Sequence, residues 1–150
     1  MIEGCVINTP IGGLAIYEKD GTVVHVKFVD DKLMTPKSVL LQNAVKQFDE
    51  YFNGVRHEFD LPMRPHGTDF QKKVWECLRA IPYGETITYG QLAALIGKPG
   101  ASRAVGNANG RNPLPLIIPC HRVVASGGGL GGFSCGIWRK EYLLGLEKSR

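Results

Sequence analysis

The first 29 residues alternate short apolar runs with turn formers. Val6-Ile7 and Leu14-Ala15-Ile16-Tyr17 are parted by Pro10 and Gly12-Gly13, and Lys19-Asp20-Gly21 precedes Val23-Val24-His25-Val26-Lys27-Phe28. Runs of this length read as strands, and the Asp-Gly turn closes a hairpin. The period then changes. Leu41, Val45, Phe48 and Phe52 fall on one helical face that Asn53-Gly54 ends. Phe59 to Gly67 contains Pro62 and Pro65 and reads as a linker.

The second half opens on a capping box, Thr68-x-x-Gln71, ahead of a helix with Phe70, Val74, Leu78 and Ile81 on its apolar face. Pro82-Tyr83-Gly84 stops it. A second box, Thr88-x-x-Gln91, starts a helix backed by Leu92, Leu95 and Ile96, with Gly97 as its C-cap. After Lys98-Pro99-Gly100 a third helix is expected over Ser102–Asn109. Two helices joined by a short Gly/Pro turn suggest a helix-turn-helix. The third helix is made of small residues, two Asn and Arg103, so its backbone can approach another surface closely with the arginine projecting. Pro113, Pro115 and Pro119 make Leu116-Ile117-Ile118 an extended piece. Val123-Val124, the glycine-rich run 126–132 and Phe133-Ser134 read as a strand, a loop and a return, like a wing. An amphipathic helix from about Gly136 to Leu146 closes the chain. There are no internal repeats.

These elements predict an α+β protein of two domains. Residues 1–65 form a small sheet-plus-helix support domain with its linker, and residues 66–150 a helix-turn-helix, winged-helix-like domain. Charge follows the same division. Residues 1–65 hold 7 Lys/Arg and 9 Asp/Glu, a net −2, whereas residues 66–150 hold 11 and 5, a net +6. A basic second half suits a polyanion partner. No apolar run reaches the roughly 18 residues of a membrane span, and Met1-Ile2-Glu3-Gly4 lacks a signal-peptide pattern. The expected location is the cytoplasm, and the expected form a monomer. The four cysteines, Cys5, Cys77, Cys120 and Cys135, make no Cys-x-x-Cys pair, so a zinc ribbon or thioredoxin-like motif is not expected.

Cys120 stands in Pro119-Cys120-His121-Arg122. A cysteine reacts as its thiolate, and its ordinary pKa of about 8.5 must be lowered for that. His121 and Arg122 are the adjacent candidates. Sequence neighbours do not usually face each other. His121 therefore acts through a bridging water, or the chain turns sharply there, as Pro119 allows. Glu147 is a candidate to orient such a base.

The run Asn112-Pro113-Leu114-Pro115-Leu116-Ile117-Ile118-Pro119-Cys120-His121-Arg122-Val123-Val124 resembles the signature of the O6-alkylguanine-DNA alkyltransferases (methylated-DNA–protein-cysteine methyltransferases). Gly84 to Leu95 and Ser102-Arg103-Ala104-Val105-Gly106 resemble the same family in order and spacing. The resemblance is strong over about residues 68–147. Before that it is weak, resting on Thr9-Pro10-Ile11-Gly12 and the hairpin after it.

The resemblance implies a role for each matching residue. Cys120 is the alkyl acceptor. His121 takes the thiol proton through a water and Glu147 orients His121. Asn112 braces the turn that carries the cysteine. Arg103 fills the stack after the nucleotide is flipped, and Tyr89 crowds the flipped phosphate and hydrogen-bonds the base. Ser134 donates to the modified oxygen, and the Val123 carbonyl reads the exocyclic amine. Ser102 and Arg122 are further expected DNA contacts. The implied partner is double-stranded DNA containing O6-alkylguanine, with O4-alkylthymine as a further substrate, and the implied reaction is irreversible and stoichiometric. No cofactor is needed.

The sequence departs from the family pattern in places. Phe133 stands where many relatives carry Tyr, and Cys135 where small residues such as Gly are common. Some members bind zinc through Cys and His near the first hairpin. Here Cys5 and His25 remain but Lys19 replaces another cysteine, and two ligands cannot close a site, so no metal is expected. Two other function classes use the same residues: a DNA-binding regulator that senses oxidation or alkylation at Cys120, and a cysteine hydrolase.

Overall fold

The computed structural model describes residues 1–148 as two units, Met1–His66 and a second beginning at Gly67. The α+β class expected from the sequence is what it shows: a small sheet with a helix, then a mostly helical unit.

In the first unit β1 (Ile2–Thr9), β2 (Gly12–Lys19) and β3 (Thr22–Val29) form an antiparallel sheet in that order. Asp20 and Gly21 both take positive φ, 52° and 76°. That is the twist a two-residue hairpin turn needs. α1 (Val39–Phe52) is capped by Ser38, whose hydroxyl accepts from the Leu41 amide at 3.0 Å. It packs on β1 and β2. Leu41, Ala44, Phe48 and Tyr51 are buried along it, as are Cys5, Leu14, Ile16 and Val26 in the sheet. Gln47 is also buried, because its amide exchanges two hydrogen bonds with the Asp60 backbone, at 2.9 and 2.8 Å. The predicted linker is partly sheet. Val23 donates to Pro62 O and accepts from the Arg64 amide, at 2.9 and 3.0 Å, so this stretch pairs alongside β3. Pro62 and Pro65 obscured that pairing in the sequence.

In the second unit both capping boxes form. Thr68 caps α2 (Asp69–Arg79) and Thr88 caps α3 (Tyr89–Leu95), each with its glutamine returning the bond. α4 (Ser102–Gly110) packs on both α2 and α3. Trp75 fixes it by donating to Ala108 O at 2.8 Å. β4 (Ile87–Thr88) pairs in parallel with β5 (Val123–Val124). α5 (Ile137–Lys148) follows. The expected wing is corrected here. After β5 no strand returns among the described residues, and the glycine-rich run stays irregular. No helix among those residues is long and apolar enough to cross a membrane.

Candidate active site

The segment leaving α4 is shaped by its prolines and by one side chain. Asn112 donates from Nδ2 to Ile118 O at 2.7 Å and accepts at Oδ1 from the Leu114 amide at 2.9 Å, tying the two arms of the loop together. Leu114, Leu116, Ile117 and Ile118 are buried along it, and Leu116 is held at φ 75°. Cys120–Arg122 then make a single 3-10 turn. This is the sharp turn that Pro119 allows, and it leads straight into β5. Asn109, buried on α4, donates to Cys120 O at 3.3 Å.

Below this turn lies a buried charged cluster. His121 Nε2 is 2.6 Å from Glu147 Oε2. Arg122 donates from Nε to Oε1 at 2.8 Å and from Nη2 to Oε2 at 3.1 Å, and its Nη1 donates to Ile81 O at 2.7 Å. The Gly84 amide donates to Glu147 Oε1 at 3.2 Å. Burial opposes charge on Glu147, but bonds from His121 and Arg122 outweigh it and hold its carboxyl well below the usual carboxylate range. An ionised carboxylate can only accept. His121 Nε2 must therefore carry the hydrogen, which leaves the lone pair on Nδ1. Nδ1 has no hydrogen-bond partner among the described residues. Burial pushes the imidazole pKa down against the pull of Glu147, so His121 is a neutral base with its free lone pair on Nδ1.

Cys120 differs from the sequence expectation. Only 3% of it is exposed, and burial pushes its thiol up to about 12 despite help from Asn112 and Lys140. It is a thiol at neutral pH, and no neighbour lowers it to a standing thiolate. The adjacent positive charge of Arg122 is spent on Glu147.

Arg122 needs a second correction. It was expected at the DNA, yet it is 6% exposed and its guanidinium is committed to Glu147 and Ile81. Its place is interior, beneath His121. The other candidates fall into two groups. Arg103 and Ser102 are exposed on the first turn of α4, and Arg103 has no carboxylate partner among the described residues. Tyr89 and Val123 are brought together by the β4–β5 ladder, since Tyr89 is the first residue of α3 directly after β4. Tyr89 donates to Gly132 O at 3.3 Å. Burial raises its pKa, and the nearby Cys120 raises it further. Ser134 is exposed beside Cys135, whose thiol burial pushes up while the Ser134 hydroxyl opposes.

Sequence reasoning missed Lys140. It is wholly buried, and its Nζ donates to Val123 O at 2.6 Å and to Gly132 O at 3.0 Å. The Tyr89 and Phe133 rings lie 5.8 and 5.9 Å from it. Burial pulls its pKa down to about 8, against the attraction of Cys120. One signal was present. Lys140, Leu143, Leu144 and Glu147 follow helical spacing and share the buried face of α5. Val123 O, expected to read a base, already accepts from this lysine.

In the first unit Cys5 and His25 do not converge. Cys5 pairs with Ile16 and His25 with Tyr17, so they sit on opposite faces of the sheet. Among the described residues no group of three or more His, Cys, Asp or Glu side chains could hold a metal ion.

Both units resemble known proteins. Residues 69–149 match the model of the 6-O-methylguanine DNA methyltransferase DNA binding domain, and residues 5–65 that of its ribonuclease-like domain. The methylated-DNA–protein-cysteine methyltransferase of Mycobacterium tuberculosis is 44% identical, over 100% of this chain and 94% of its own length. That of Methanosarcina barkeri is also 44% identical, with 96% of each covered. The crystal structure of the M. tuberculosis O6-methylguanine methyltransferase superposes with a TM-score of 0.90 over 100% of this chain and 94% of that one. Its structure in complex with DNA gives 0.88 at 45% identity, covering 96% and 91%. With the whole chain covered at this identity and both units matched, the protein belongs to the methylated-DNA–protein-cysteine methyltransferase family.

Proposed function

We propose that Cys120 is the alkyl acceptor of a single-turnover DNA repair reaction on O6-alkylguanine, and on O4-alkylthymine, in duplex DNA. Repair by alkyl transfer is the family's activity. The observation that carries the assignment to this residue is the cluster beneath the turn. Glu147, fixed by Arg122, fixes the His121 tautomer, and the lone pair is left on Nδ1.

A buried thiol at about 12 is not a nucleophile until its proton leaves. In the proposed step, that proton passes through a bridging water to Nδ1 as sulfur attacks the alkyl carbon. The S–C bond forms, the C–O bond breaks, and the electron pair stays with the guanine oxygen. Tyr89 and Ser134 hydrogen-bond that oxygen, and a stabilised leaving group departs more easily. The proton returns to the guanine ring, so atoms and charge balance. The product is a thioether, which no residue of the site can hydrolyse. Keeping the thiol neutral between encounters also protects it, because oxidants attack thiolates.

The target carbon lies inside the duplex stack, so the nucleotide must be extruded at a cost of about a few kcal/mol. α3 and α4 act as the helix-turn-helix, with α4 in a groove and Arg103 occupying the gap. Its small exposed residues, Ser102, Ala104 and Asn107, support close approach. Lys140 positions the pocket by tying β5 to the Gly132 loop.

Counting product tests this reading. With limiting protein and excess methylated duplex, one lesion should be repaired per chain, in a burst followed by no further turnover. Sustained turnover would instead indicate a cysteine hydrolase, and repair of no lesions a sensor.

A further inference from the structure

The first unit carries a second cluster of ionisable side chains. Tyr17, Lys19, His25, Lys27 and His66, with Ile2 and Val24, line a hollow of about 460 Å³. The strand register explains how they meet. Tyr17 pairs with His25, Lys19 with Ile2 and Lys27 with Ala15, which puts all of them on the sheet face opposite Ile16 and Val26. The register between β2 and β3 shifts at Tyr17/Glu18, a bulge that makes Val24 an extra residue. Bulges of this kind re-aim side chains, and here Val24 and His25 both line the hollow although they are consecutive. Gly4 pairs with Tyr17, and a Cβ at Gly4 would sit 2.7 Å from the tyrosine ring, so only glycine lets the ring lie across β1.

The charge on this face runs against its surroundings. Residues 1–65 are net −2, yet the lining holds two lysines, two histidines and no carboxylate. Alternation sends Glu3 and Glu18, which pair with each other, to the opposite face. Two other hollows of this unit do hold acids, Asp49 in one and Glu50 with Glu58 in the other. Neither Lys19 nor Lys27 has an ion-pair partner among the described residues. Two unpaired ammonium groups beside an aromatic ring suit a phosphate with a base attached. Lysines track the backbone of a nucleic acid, and a ring offers a stacking surface.

We propose that this hollow is an oxyanion site that takes a phosphodiester of DNA, separate from the contacts around Cys120. It rests on no role assigned to residues 84–147. The test follows the His25 and His66 ring-proton resonances of the full chain as lesion-free duplex oligonucleotide is added. Both should shift and saturate. A Lys19→Gln/Lys27→Gln chain with the parent's melting temperature should need at least about tenfold more DNA for the same shift. Histidine resonances that stay fixed while those of α4 move would overturn the proposal and leave the Cys120 reading intact. So would a double variant that titrates like the parent. Shifts produced by inorganic phosphate but not by DNA would assign the hollow to a free anion and overturn the strand assignment.

Discussion

Burial holds the Cys120 thiol near 12, while His121 beside it is neutral and Glu147 is charged. The charged member keeps the network in order. Glu147→Gln keeps the shape but leaves the buried Arg122 without its counter-ion. Removing one partner of such a pair costs about 3–5 kcal/mol, and a misassigned imidazole tautomer should slow transfer by about a hundredfold or more. Denaturant unfolding and single-turnover assays on duplex substrate read the two effects separately. The sign of the acid dependence follows from the same group. Its folded pKa lies below the unfolded value of about 4.3, so its stabilisation is fully present above that pH and is lost as pH falls through the folded value. The Glu147→Gln chain should lack this contribution, and its stability should fall less between pH 5 and 3 than the parent's. A parallel fall in both chains would mean that Glu147 is not the group responsible. Lys140→Met should also slow transfer. It strips a donor from Val123 O, at about 1–3 kcal/mol for a carbonyl left unpaired, and leaves Gly132 O with the Tyr89 hydroxyl alone. Unchanged kinetics would make that lysine a packing residue.

At the scale of elements, position depends on helix starts and on one short ladder. Thr88 caps α3 and ends β4, so it sets where Tyr89 begins. Thr88→Ala should cost about 1 kcal/mol, with a further loss of transfer rate because Tyr89 is released. Calorimetry and the burst rate report each part. Both capping boxes were legible in the sequence, because Thr and Gln at that spacing satisfy each other's backbone amides wherever they occur. The Asp20-Gly21 hairpin was legible for a similar local reason. The two-residue β4–β5 ladder was not, since pairing over a gap of more than 30 residues leaves no local pattern. Nor was the pairing around Pro62, where proline argues against a strand although only its carbonyl is used. At the site, Cys120, His121 and Glu147 were candidates by residue type and position, and the family resemblance gave each its role. That Arg122 turns inward and that Lys140 is buried was hidden, because a charged side chain reads as solvated until its partners are placed.

For the whole molecule, the charge division is the broadest signal. Five of the second unit's basic residues already have defined surroundings: Arg122 and Lys140 are buried, Lys98 lies 5.8 Å from the Phe70 ring, Arg79 pairs with Glu76, and Arg139 donates to Cys135 O. Arg103 is exposed at the start of α4. Arg103→Ala should bind undamaged duplex slightly less tightly and lose most of the base-fluorescence change that marks extrusion. A variant that extrudes bases as readily as the parent would remove the arginine from that role.

The central claim is that Cys120 receives the alkyl group, and peptide mapping by mass spectrometry tests it most directly. After incubation with duplex containing O6-methylguanine, the Cys120 peptide should carry one added methyl group. Cys5, Cys77 and Cys135 should carry none, and a Cys120→Ala chain should bind the duplex yet gain nothing. A methyl group on Cys135, or an unmodified Cys120 after the lesion has disappeared, would contradict the account.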